Sequence, residues 1–187
     1  HSLLSSKREG AEAAAWLFLR GKGMTNQVAE LLDIIREVLT TARLDNRERF
    51  MQMVLEEKAG EEAALVPGGH RVVNLRLRSQ YDEASWASEL MKGVDYLFFL
   101  RQLVEDCEQQ WDRVQQNLEE IRHRLVNRQS MICSTTYHGG DRAFVERELA
   151  RFAASLPETD SSPVGWSPAY AERNEGLVVP SQVNYVA

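Results

Sequence analysis

The chain is poor in the residues that staple, span or bind nucleic acid. It has 187 residues but only two cysteines, Cys107 and Cys133, which excludes a disulfide framework and suits a reducing compartment. Its longest unbroken apolar run, residues 13–19, falls far short of the roughly 20 residues a spanning helix needs. Lys and Arg number 22 against 28 Asp and Glu, a formal charge of −6. No basic surplus exists to neutralise phosphates, so neither nucleic acid nor a membrane is an expected partner. No charged n-region followed by an apolar h-region opens the chain, so no signal peptide is read. What is present, 43% hydrophobic and 27% charged residues, describes a mildly acidic globular domain able to bury a core without metal.

Catalytic signatures are scarce too. The four histidines are His1, His70, His123 and His138, and none has another within five residues. His-Glu-x-x-His and its inversion are therefore both absent, although a zinc hydrolase needs two such nitrogens on one helix face. Glu120-Ile-Arg-His123 has the spacing of a di-iron bundle, but there is one copy where two are required, within a run of charges. No Gly-x-Ser-x-Gly occurs, and neither cysteine has a nearby histidine. Pro67-Gly-Gly-His70 lacks the P-loop pattern and reads as a turn. His138-Gly-Gly-Asp141 precedes a helix start, where anions find backbone N–H groups, but a capping Asp141 explains it as well. No catalytic, cofactor-binding or metal-binding residue is assigned.

The hydrophobic pattern outlines the organisation. Residues 13–20 read as a buried strand, and residues 131–137, rich in β-branched side chains, as another. Thr25 is placed as an N-cap before a helix carrying Val28, Leu31, Leu32, Ile35, Val38 and Leu39. Asp45 with Glu48 suggests a capping box for a second helix over 46–58, ending near Gly60. Residues 70–91 fit strand or helix, and Gly93 ends them. Leu97, Leu100, Val104, Cys107, Trp111, Val114, Leu118, Ile121 and Leu125 then step by three and four, as one long helix or two sharing a phase. Asp141 is placed as the N-cap of a last helix with Phe144, Val145, Leu149 and Phe152 inward. Residues 157–176 read as linker and 177–187 as a strand without a neighbour, with Pro180 at its edge or start. Such a chain reads as part of something longer.

Together these parts resemble a known order. Leu17-Phe-Leu-Arg-Gly-Lys-Gly23 is followed by a helix, Leu44-Asp-Asn-Arg-Glu-Arg49, Gly69-His70, Gly93 and a helical stretch ending in Leu118-Glu-Glu-Ile121. Thr135-Thr136 and then Val179-Pro-Ser-Gln-Val-Asn-Tyr-Val186 complete it. This is similar to the presequence-protease branch of the pitrilysin/insulinase zinc peptidases, at the non-catalytic third domain that opens the C-terminal half.

The resemblance implies an α+β fold, helices packed on one face of a mostly antiparallel sheet, with residues 1–156 a partial domain and 177–187 the first strand of the next. It implies that residues 70–91 are mainly helical and that the long heptad run breaks near Trp111. The inverted zinc motif would lie in a missing N-terminal domain, and the substrate-holding Arg and Tyr in a fourth, so this segment would line the chamber without making bonds. Implied partners are the remaining domains and a short unstructured peptide such as a cleaved targeting sequence. Unpaired backbone groups at an exposed strand edge, or residues 177–187 as a swapped strand, are expected to bring in a second copy. The implied location is intracellular: bacterial cytoplasm or the matrix of a eukaryotic organelle. Two other readings stand beside it, a helical docking module using the 97–125 seam and an anion-binding domain at residues 138–141.

Overall fold

In a computed structural model the described residues are 2–6, 13–159, 167–170, 174–179 and 182–186. They are helical almost throughout, which corrects the expected α+β sheet. The only strands among them are β1 (Ser2–Ser6) and β2 (Ala13–Leu17), an antiparallel ribbon with Ser2 opposite Leu17 and Ser6 opposite Ala13. Seven α-helices follow among the described residues: α1 (Val28–Thr40), α2 (Arg47–Leu65), α3 (Gly69–Arg78), α4 (Glu83–Lys92), α5 (Val94–Gln109), α6 (Trp111–Leu125) and α7 (Arg142–Ser155).

Two compact units result. One comprises residues 1–18, 47–111 and 165–187; the other comprises 19–46 and 112–164.

In the first unit, α2 and α5 pack together, α4 packs on α5, and the ribbon lies against α4. Val54, Ala87, Val94, Leu97, Leu100 and Cys107 are its buried apolar side chains. Arg101 pairs with Glu62, and the Tyr96 hydroxyl donates to Glu57, fastening α5 to α2. Residues 70–91 are indeed helical. Two helices form there: α3 ends at Arg78, a turn over residues 79–81 follows, and Asp82 caps the next helix, its carboxylate accepting from Ser85 N at 2.7 Å.

The long heptad run does break, at Gln110, without a glycine or proline. Arg47 donates to the Glu108 carbonyl at 2.9 Å, satisfying one of the orphan acceptors that end α5. Trp111 turns its ring onto Phe50, with centroids 5.8 Å apart, while Asp112 supplies the acid of the next first turn. The seam is consequently no single docking face: Leu97, Leu100 and Cys107 are buried, whereas Ile121 and Leu125 are more than half exposed.

In the second unit α1 and α7 pack together, and Leu32, Val126, Phe152 and Leu156 form a buried cluster flanked by Val28, Ile35, Leu39, Met131 and Leu149. Asn127 is buried and acts as a polar staple. Its side-chain oxygen accepts from Gln129 N and Thr159 N, and its amide donates to Thr159 O at 2.7 Å. Across the two units five local expectations fail for identifiable reasons. The Thr25 hydroxyl donates to Asp141 at 3.1 Å, so neither side chain caps the helix beside it. Asp45 is held by the Arg43 guanidinium through two hydrogen bonds and leaves the capping box unformed. The second helix continues through Gly60 to Leu65, because Glu61, Glu62, Ala63 and Ala64 are strong helix formers and the break comes only at Val66-Pro67. Residues 131–137 form no strand: Ile132 is three-quarters exposed and Met131 packs on the helical cluster.

The strand over 13–20 is real at Ala13–Leu17 but not buried, since Trp16 and Leu17 are exposed. Residues 177–179 and 182–186 carry no strand either. The sheet fails at 131–137 and at the C-terminal segment for one reason: β-rich composition makes a strand only where a neighbour satisfies its ladder. Pro180 and much of the expected linker lie outside the described residues. No helix among the described residues is long and apolar enough to cross a membrane.

Candidate functional site

A dense polar junction in the first unit centres on Arg76 of α3. Its guanidinium donates to both Glu175 oxygens at 2.6 and 2.9 Å, to Asp95 at 2.8 Å and to Glu89 at 3.1 Å. Glu89, on α4, is almost wholly buried. Its Oε1 also accepts from Val94 N at 2.9 Å and Asp95 N at 3.3 Å, so it caps the start of α5 from the preceding helix. Its Oε2 has no partner. That geometry requires glycine at 93, because a Cβ there would collide with the Glu89 carboxyl group. Burial pushes the Glu89 carboxyl up, against the backbone N–H groups and Arg76 that pull it down.

Arg76 also ties the C-terminal segment to this unit. Two further contacts do the same: Trp86 Nε1 donates to Ala169 O at 3.0 Å, and the Tyr185 hydroxyl donates to Val66 O at 2.5 Å. The Tyr185 ring lies so close to Gly69 that any side chain at 69 would strike it.

Glu175 is held below the ordinary carboxylate value of 4.5 by its hydrogen bonds to Arg76. A lowered carboxyl stabilises the folded state above that value and loses the contribution as pH falls through its folded pKa. The difference in unfolding free energy between wild type and Glu175→Gln is therefore expected to be positive near neutrality and to vanish in acid. Urea titrations across pH decide it; a difference that persists below pH 4.5 unchanged contradicts the salt link. Glu89 is common to both proteins and cancels.

Beside this junction opens a cleft of about 720 Å³ between the end of α2, one face of α3 and the α4–α5 corner. Leu65, Val72, Leu75 and Leu97 give it an apolar floor, and His70, Arg71, Arg78 and Lys92 give it a basic rim. Glu61 is its one acidic lining residue, and burial together with Glu57 raises that carboxyl.

The residues singled out in the sequence do not converge. His70 reaches the cleft rim and tilts against Tyr185, with ring centroids 6.5 Å apart. The carboxylate of Glu120 is taken by Arg124 rather than facing His123. At residues 138–141 the Gly140 N–H donates to His138 Nδ1 and the Asp141 N–H to the His138 carbonyl, so the supposed anion cradle spends its donors internally. Burial pushes the thiols of Cys107 and Cys133 up, away from the reactive thiolate. Sequence reasoning missed Arg76, Glu89 and the cleft. The seven-residue spacing of Arg71 and Arg78 placed both on one helical face, but the period alone does not distinguish a ligand rim from a solvated stripe.

Comparison with known proteins gives these features a family. Residues 1–103, which include every residue lining the cleft, match the family described as associated with peptidase family M16, subfamily C. Presequence protease 1, chloroplastic/mitochondrial, of Arabidopsis thaliana is 34% identical over the whole of this chain, which covers 17% of that protein. Protein HypA of Clostridium perfringens is 23% identical over 96% of this chain and 18% of its own length. Presequence protease, mitochondrial, of Yarrowia lipolytica is 28% identical over 88% of this chain and 17% of its own. The chain thus spans about a sixth of the length of these relatives. With more than half its residues matched by the family model and presequence proteases among its curated relatives, the chain belongs to the domain family associated with peptidase family M16, subfamily C, in the presequence-protease branch.

Proposed function

We propose that this chain is a non-catalytic wall of the substrate chamber in a zinc-dependent peptidase that degrades short, unstructured peptides such as cleaved targeting sequences. Its work is to bind and orient, and to carry the remaining domains of the parent protein. The observation that supports this reading is the open cleft, apolar below and charged at the rim, on the segment the family model matches. Such a lining takes an extended peptide through its side chains and termini. Organellar matrix or bacterial cytoplasm is the location that goes with it, given the chloroplastic and mitochondrial relatives.

Zinc does not fit the residues present. Among the described residues no three His, Cys, Asp or Glu side chains group as a metal site would require. The metal of this reading belongs to another part of the parent peptidase, and no step of catalysis is assigned to this chain. A quenched fluorescent peptide is expected to bind the purified chain without being cut, and metal analysis to find no stoichiometric zinc after dialysis. Turnover that co-elutes with the protein and survives chelator, or about one zinc per chain, overturns the reading.

Self-association belongs to the same proposal. Among the described residues β1 and β2 pair only with each other, leaving an outer edge on each. Light scattering of the concentrated chain is expected to give a mass above the 21.3 kDa of one copy, reduced by Leu17→Lys on β2. A monomer at every concentration contradicts it.

A further inference from the structure

The arginines of this protein are mostly spoken for. Arg76 alone meets three carboxylates, and Arg43, Arg101, Arg124 and Arg142 each hold one. Arg71, Arg78 and Lys92 are different: among the described residues none of them has an ion-pair partner. All three line the same cleft. Arg71 and Arg78 stand two turns apart on one face of α3, roughly 10 Å along the axis. Lys92 closes the α4 side. Three exposed cations with Glu61 as the one acid in the lining leave the rim net positive, and such a rim over an apolar floor favours an anion. Guanidinium groups match a carboxylate with two parallel hydrogen bonds. No row of free backbone N–H groups is needed for such recognition, and the apolar floor of Leu65, Leu75 and Leu97 suits a side chain attached to the carboxylate rather than a bare inorganic ion.

We infer that this cleft receives the C-terminal end of a peptide, its free carboxylate between Arg71, Arg78 and Lys92 and its last apolar side chain on the floor. The inference rests on the chamber-wall reading above and deepens it. Targeting sequences are poor in acidic residues, so the terminal carboxylate is the anion that every such peptide still offers. The consequence is recognition of an end rather than of a sequence. A cleaved peptide has a free end within reach, whereas the same segment still joined to a folded protein does not.

The test uses the full chain and fluorescence anisotropy with three versions of one short, N-terminally labelled peptide of Arg, Ser and Leu ending in Leu. One has a free C-terminal carboxylate, one is amidated, and one is amidated with a single internal Glu. Amidation is expected to weaken binding to the wild type by about tenfold to a hundredfold, the loss of a charge-assisted hydrogen-bonded pair. In the Arg71→Gln/Arg78→Gln variant the free acid should bind no better than the amide. Lys92→Gln should narrow the gap, and circular dichroism should show both variants folded; both replace exposed side chains. Free acid and amide bound equally by the wild type would overturn the inference, as would discrimination retained by the double variant. Full recovery of binding by the internal Glu would also overturn it, by assigning the carboxylate to a side chain. In each of these cases the peptide still binds and the chamber-wall reading stands. Failure of all three peptides to bind would remove both.

Discussion

Replacing Glu89 by alanine is expected to cost about 3–5 kcal/mol of unfolding free energy, the scale for removing one partner of a buried ion pair. The side chain is 1% exposed, and three donors converge on its Oε1: the N–H groups of Val94 and Asp95, and Arg76. Truncation leaves two backbone donors at the start of α5 unmet and opens a void beneath Gly93. It also strips one carboxylate from a guanidinium that is itself only 15% exposed. Glu89→Gln is the informative companion. Its Oε1 still accepts, but an amide stands where the unpartnered Oε2 lies, so its loss should be distinctly smaller.

The pH dependence has a defined sign. Burial raises the Glu89 carboxyl above 4.5, so the ionisation-linked part of its contribution is complete below that value and is lost as pH rises through the raised one, while the cost of leaving the α5 donors unmet and opening a void remains. Urea denaturation followed by circular dichroism measures all of this. A loss under about 1 kcal/mol for the alanine variant, within the ordinary range of single substitutions, would show that the junction is dispensable.

Phe152→Ala should be comparably severe in the second unit, at about 3–5 kcal/mol for an aromatic removed from a core. Phe152 is 6% exposed and packs with Leu32, Val126 and Leu156. The cavity would sit where α1, α7 and the turn after α6 meet. That turn is held by Asn127 rather than by more apolar contacts, so the walls have little freedom to collapse. Phe152→Leu keeps most of the volume and should cost much less. Thermal unfolding of the two variants gives the comparison; equal, small losses would mean the cluster is not the core of this unit.

Periodicity carried the helical part of the fold. The amphipathic stripes of α1, α5, α6 and α7 were legible because a helix states its buried face every three or four residues, using only local chain. The short signatures from Leu17 to Val186, taken in order, likewise carried the resemblance to the family that the comparisons show. Strands were another matter. Residues 131–137 have strand composition, but a ladder needs a second chain segment, and no local pattern reports whether one arrives.

The candidate site was hidden for the same kind of reason. Arg71, Arg76 and Arg78 are three similar residues within one helix, and the sequence treats them alike. Tertiary structure separates them by supplying Glu89, Asp95 and Glu175 to Arg76 and, among the described residues, no ion-pair partner to the other two. Even the break at Gln110 depends on Arg47 and Phe50, some sixty residues earlier in the chain. Backbone period is a property of neighbours in sequence and can be read there. The partner of a charge is a property of neighbours in space, and Coulomb attraction is settled only once the chain has folded.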